Sequence, residues 1–164
     1  MVFLVKRAQK GDKEAFIQLM ERNKESMYRI ARSFLRNEQD IADALQDTIL
    51  SAYEHIGELE KTSYFKTWLI RILMNKCKSI LRTQKCVSPV AEVPERAEAF
   101  QSDLEFWEML HALPGDSRMI FLLYYGECLT TREISQILEI NENTVRGRLR
   151  RGRSILKEWV TINS

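Results

Sequence analysis

Apolar side chains recur every three or four residues along most of this chain, and little interrupts that rhythm. Six glycines and three prolines in 164 residues leave few places for tight turns. No run alternates apolar and polar residues as a half-buried strand does, so the spacing predicts helices throughout. The fold class is therefore all-α. With 45% hydrophobic residues the chain can bury a core, and its length suits one ordinary domain or two small ones.

The interruption that matters lies between Thr83 and Ser102, a mostly polar stretch without sustained periodicity that holds Pro89 and Pro94, two of the three prolines. It reads as a flexible linker, and it divides the chain into a first domain over 1–85, a linker over 86–102 and a second domain over 103–164. Upstream, helices are expected over Asp12 to Arg36, with Phe16, Leu19, Met20, Met27, Ile30, Ala31 and Phe34 inward, and over Asp40 to Ile56, with Ile41, Leu45, Thr48, Ile49, Ala52 and Ile56 inward. A third runs from about Tyr64 to Leu81. Downstream, shorter helices are expected at Ser102 to Ala112, Asp116 to Tyr125, Thr131 to Leu138 and Glu142 to about Trp159.

The formal net charge of +2 conceals a segregation. Residues 37–60 carry seven acids and no Lys or Arg; residues 61–86 carry seven bases and no acid. The sign returns to acidic over 87–108, and 140–164 closes the chain with six bases against Glu142 and Glu158. A single charge run is also what a solvated helix face looks like. Two blocks nearly free of acid point instead to two places that meet a polyanion.

Other classes find no support. Met1 to Val5 followed by Lys6 and Arg7 reverses the order of a secretory signal. The longest apolar stretch, Met119 to Tyr125, falls far short of the roughly 20 residues that span a bilayer. Cys77, Cys86 and Cys128 form no C-x-x-C pair, and His55 and His111 have no second ligand at helical spacing. A cytoplasmic protein without catalytic residues, metal, cofactor or small-molecule substrate is the expectation.

In the second half, Thr130-Thr131-Arg132-Glu133 fits a capping box, and Asn141 can cap a further helix just after Ile140. Two short helices so joined make a helix-turn-helix. At 100° per residue Val145, Leu149, Gly152 and Leu156 share one face, while Gly147, Arg150 and Arg151 point away and Arg146 sits at the edge. Guanidinium forks suit guanine in a major groove, so Arg146, Arg150 and Arg151 are the base-edge candidates. Arg148 and Arg153 flank the packed stripe and can reach phosphates, and Asn143 and Thr144 can offer an amide and a hydroxyl to another. Gly147 is either a tolerated surface glycine or a site of close approach to DNA.

In the first half, Phe65, Leu69, Ile72, Leu73 and Ile80 share a face, with Thr67, Arg71 and Lys78 opposite and Asn75 and Arg82 adjacent. Lys61-Thr62-Ser63-Tyr64 precedes them, a polar loop ending in an aromatic, the mixture that holds an unstacked base. The same strip could equally be the solvated side of a buried helix. On the acidic helix, Asp40 leads to an outward face with Asp43, Gln46, Asp47 and Glu54 around Leu50. A leucine exposed among acids reads as a docking surface for a basic partner helix.

Taken together these stretches resemble a bacterial RNA polymerase sigma factor of the extracytoplasmic-function (ECF) type. Asp40 to Thr48 is similar to the family's acidic stretch that docks on the β′ clamp coiled coil, and Phe65-Lys66-Thr67-Trp68-Leu69-Ile70-Arg71-Ile72 with Asn75 is similar to the one that holds the opened −10 element. Leu113-Pro114, Arg118, Glu133-Ile134 and Asn143 to Arg153 resemble the −35-reading domain, a winged-helix-like helix-turn-helix. Glu139 stands where the family has a turn glycine, so the turn either avoids a left-handed residue or carries strain, and Gly147 replaces a commoner serine. The resemblance implies an alternative sigma factor that binds core polymerase through the β′ clamp and β flap, reads promoter DNA in a stress or envelope response, and is held by an anti-sigma factor, often membrane-bound. The rival readings are a DNA-binding regulator that needs no polymerase and an adaptor whose basic faces meet proteins.

Overall fold

A computed structural model describes residues 1–85 and 101–163, which belong to two compact units, Met1–Pro94 and Glu95–Ser164. Helices account for nearly all of the described residues, and no strand occurs among them. The expected linker lies outside them except for Gln101 and Ser102, which open a helix.

The first unit holds α1 (Val2–Gln9), α2 (Lys13–Phe34), α3 (Glu38–His55) and α4 (Phe65–Lys85). Asp12 starts α2 by accepting from the Ala15 amide at 3.1 Å, and Asn37 starts α3 by accepting from the Asp40 amide at 2.7 Å. The Ala15 bond and then the Arg7 guanidinium, 2.7 Å away, hold the Asp12 carboxyl below its ordinary range. Packing of α2, α3 and α4 against one another buries Phe16, Leu19, Ile30, Ile41, Phe65, Leu69 and Leu73. Helix α1 lies in a stretch to which no element was assigned, and it buries Leu4, Val5 and Ala8. Phe34 is only half-buried, and Leu35 takes its place in the core; Leu45 and Ile49 on α3, also expected inward, are half-buried. On α4 the buried stripe runs through Ile70, Met74 and Cys77, leaving Ile72 and Ile80 half-buried. Burial pushes the Cys77 thiol up to about 12.

Between α3 and α4 the chain makes two short 3-10 turns, Ile56–Glu58 and Thr62–Tyr64. Helix α1 braces this connection: the Gln9 amide donates to the carbonyls of Ile56 at 3.0 Å and Leu59 at 2.7 Å. Thr67, expected on the open polar strip of α4, is only 8% exposed.

The second unit holds α5 (Gln101–His111), α6 (Gly115–Phe121), α7 (Thr131–Leu138) and α8 (Glu142–Asn163). Arg118 closes the end of α5 by donating to the carbonyls of Leu113 at 2.9 Å and His111 at 3.2 Å. Helix α6 continues into a π-helical turn, Leu122–Gly126, where a single α-helix was expected. The capping box of Thr130 and Glu133 forms, and α7 covers the expected residues. Glu139 then takes the left-handed conformation at φ 56°, so of the two possibilities for this turn the strained one holds. The Asn141 side chain accepts from the Asn143 amide at 2.8 Å and begins α8.

Helix α8 is seated by Gly152. A Cβ there would lie 2.3 Å from the Phe121 ring and 3.3 Å from Leu113, whereas one at Gly147 would meet nothing within 4 Å. Phe121 is fully buried and cannot swing aside. Gly152→Ala should therefore lose roughly 1–2 kcal/mol net, overpacking outweighing the gain in helix propensity. Gly147→Ala should gain up to about 1 kcal/mol. Urea unfolding of the two variants checks the contrast.

Candidate nucleic-acid interface

On α4, Arg71, Asn75 and Arg82 are exposed and Lys78 half-buried, at spacings that place all four within a sector of about 60° around the helix axis. The connection before α4 brings Lys61, Ser63 and Tyr64 to the surface beside its first turn, with Thr62 half-buried. Tyr64 is 45% exposed, and the Lys61 ammonium stands 5.9 Å from the centre of its ring. An exposed aromatic with a cation over it, followed by a basic strip, offers stacking and phosphate neutralisation side by side. Trp68 is half-buried, with its ring 5.9 Å from that of Phe65.

On α3, Asp43, Gln46, Asp47, Leu50 and Glu54 form one exposed face, with Leu50 55% open. Asp40 stands apart from them. Its carboxylate accepts from the Asn37 amide group at 2.7 Å and from Gln84, so it ties the start of α3 to the end of α4. Tyr53, half exposed and edge-on to Phe16 at 5.1 Å, borders the face and was not singled out in the sequence. Its position three residues after Leu50 was the available signal.

On α8, Asn143, Thr144, Arg146, Arg150 and Arg151 are exposed, with Gly147 half-buried between them. Val145, Leu149 and Gly152 are buried, as their shared face required, while Leu156 on the same face is half-buried. Three arginines have partners inside the unit. Arg146 donates to Glu142 at 2.8 Å, and Arg148 pairs with Asp116 at 3.3 Å. Arg153 donates to the Tyr125 hydroxyl at 2.8 Å, its guanidinium 5.7 and 5.9 Å from the Tyr124 and Tyr125 ring centres. Sequence periodicity placed Arg153 on the flank but did not find these tyrosines, because the π turn that presents them has no sequence signature of its own. Glu142 also accepts from the Thr131 hydroxyl at 2.7 Å, and that bond, then the Arg146 charge, holds its carboxyl below the usual range. Among the described residues no three His, Cys, Asp or Glu side chains are grouped to hold a metal, and no helix is long and apolar enough to cross a membrane. Because Arg153 clamps the π turn to α8, Arg153→Ala should lower stability by about 1 kcal/mol. Arg150→Ala, at an exposed position, should stay within about 0.5 kcal/mol of wild type in the same urea titration.

Comparison with known proteins bears on both units. The family model of Sigma-70 region 2 matches residues 19–86, and that of Sigma-70, region 4, matches residues 103–156. The ECF RNA polymerase sigma factor SigM of Mycobacterium tuberculosis is 30% identical over 151 residues, which cover 89% of this chain and 77% of the relative. The ECF RNA polymerase sigma-E factor of Haemophilus influenzae is 29% identical over 178 residues, 96% of this chain and 93% of the relative. Among solved structures, CnrH in complex with the cytosolic domain of CnrY matches with a TM-score of 0.71 at 26% identity, over 99% of this chain and 98% of that one. RpoE in complex with the anti-sigma factor NepR from Bartonella quintana shares the fold, with a TM-score of 0.70 at 22% identity over 91% and 98%. With both regions matched in order, the chain belongs to the ECF class of RNA polymerase sigma factors, the alternative factors that direct the polymerase to its promoters.

Proposed function

We propose a division of labour among the faces of this sigma factor. Arg146, Arg150 and Arg151 read base edges of a duplex −35 element, with Asn143 and Thr144 at a phosphate and Gly147 allowing close approach. Arg148 and Arg153, already paired within the unit, set the pose of α8 as well as offering charge to the backbone. Lys61, Thr62, Ser63 and Tyr64 with Arg71, Asn75, Lys78 and Arg82 hold the single strand of an opened −10 element. The observation that carries this reading is that each acid-poor stretch of exposed bases lies on a helix whose opposite face is anchored in a core of its own. The domain limits we adopt remain 1–85 and 103–164, the chain between them serving as linker.

Asp43, Gln46, Asp47, Leu50 and Glu54 dock the β′ clamp coiled coil, and Asp40 holds the shape of that face from its end. The β flap takes the apolar groove of about 590 Å³ lined by Phe106, Met109, Phe121, Leu156 and Val160, with Arg153 and Lys157 on its wall. An anti-sigma factor controls the chain. CnrH was solved with the cytosolic domain of CnrY, and a membrane-held partner with one domain in the cytosol is the kind we expect. The protein would then act in the cytoplasm, without catalysis of its own, in a stress or envelope response.

Run-off transcription with purified core polymerase and a promoter library tests the scheme: specific transcripts are expected, and their absence would reject it. Asp47→Lys should abolish co-elution with core polymerase while leaving the circular dichroism spectrum intact; unchanged assembly would rule out the α3 face. In holoenzyme, Arg151→Ala should cost about 1–3 kcal/mol of promoter binding and relax preference at one base pair. Equal weakening on every sequence would make Arg151 a phosphate contact.

A further inference from the structure

Glu142 stands where both helices of the helix-turn-helix begin. It is the first residue of α8, and a single carboxylate oxygen accepts from the hydroxyl of Thr131, the first residue of α7, at 2.7 Å and from Arg146 Nη2 at 2.8 Å. The starts of the two helices and the guanidinium of a base-reading candidate thus meet at one atom.

Stability is a weak reason for this arrangement. An acid in the first turn gains from the helix dipole with or without the arginine, and an exposed i, i+4 pair adds only a few tenths of a kcal/mol. For binding, a carboxylate on the face that meets phosphates is a handicap, since it opposes the charge that draws DNA in. What the pair does supply is aim. A free arginine has many rotamers to lose on contact, whereas one tethered through Nη2 has settled in advance. Its fork has five N–H donors, so those on Nε and Nη1 and the second on Nη2 remain for a bidentate contact with a base.

We propose that Glu142 is a positioning residue for promoter recognition: tied to Thr131, it fixes the Arg146 guanidinium and so sets the base preference at one −35 position. The proposal rests on Arg146 reading a base edge, and the test separates the two. Holoenzymes carrying the wild-type factor, Arg146→Ala, Glu142→Ala or Glu142→Gln are titrated with promoter duplexes bearing each base pair at each −35 position. Arg146→Ala identifies the position it reads as the one whose preference collapses. At that position Glu142→Ala should cut discrimination about fivefold to tenfold. Total binding should hold or rise at low salt, and preferences elsewhere should stay unchanged. Glu142→Gln, which keeps an acceptor oxygen and the helix start, should lose discrimination at the same position by a smaller factor. In an Arg146→Ala background, Glu142→Ala should change no base preference further, whatever it does to total binding at low salt. Discrimination left intact by Glu142→Ala, or lost equally at every position, would overturn the positioning role while leaving the base contact standing. No position responding to Arg146→Ala would overturn both.

Discussion

A helix that buries one stripe of its surface has no freedom left about where its other residues point, and the functional faces of this protein depend on that constraint. On α4 the buried run of Phe65, Leu69, Ile70, Leu73, Met74 and Cys77 forces Arg71, Asn75 and Arg82 outward. On α8 Val145, Leu149 and Gly152 do the same for Arg146, Arg150 and Arg151. Gly152 is the tightest of these points, because its lack of a Cβ lets α8 lie directly on the Phe121 ring. The charges are therefore placed by apolar packing. Electrostatics among exposed side chains is too weak and too easily screened to hold such faces in register.

Much of this was legible in the sequence because helical period and caps are local. Thr130, Glu133 and Asn141 are start signals that act within three residues, and α7 and α8 begin where those signals say. The outward set Asp43, Gln46, Asp47, Leu50 and Glu54 followed from 100° per residue alone. What escaped depends on contacts distant in the chain. Helix α1 has only eight residues and holds by packing on α2 and by Gln9 reaching Ile56 and Leu59, about 50 positions away. Thr67 has the right azimuth to be exposed yet is buried. Arg153 met two tyrosines presented by a π turn, whose apolar pattern is indistinguishable from that of an α-helix over so short a run. Asp40 belongs by sequence to the acidic face, but its neighbours Asn37 and Gln84 claim it. Periodicity assigns a direction; only the fold decides what waits there.

Segregated charge also suggests why such a factor acts with a polymerase. Each basic face is small, and a handful of phosphate contacts gives weak, salt-sensitive binding. Two such faces joined by a chain that the polymerase holds would turn the second contact into an intramolecular event, raising its effective concentration without any new contact. In the scheme proposed above, the acidic face of α3 would serve in two ways, docking the polymerase and keeping that part of the surface from gathering DNA on its own. The near-zero net charge of the whole chain is then the sum of parts with opposite tasks.

The central claim is that sequence-specific promoter recognition by this chain requires the polymerase that couples its two basic faces. Fluorescence anisotropy of one labelled promoter duplex, titrated at fixed salt with the free protein and with the protein assembled on core polymerase, tests it directly. The account predicts weak, sequence-indifferent binding by the free protein and tight binding by the holoenzyme that collapses when either the −35 or the −10 element is scrambled. Tight, sequence-specific binding by the free protein, with no gain on adding core polymerase, would contradict it.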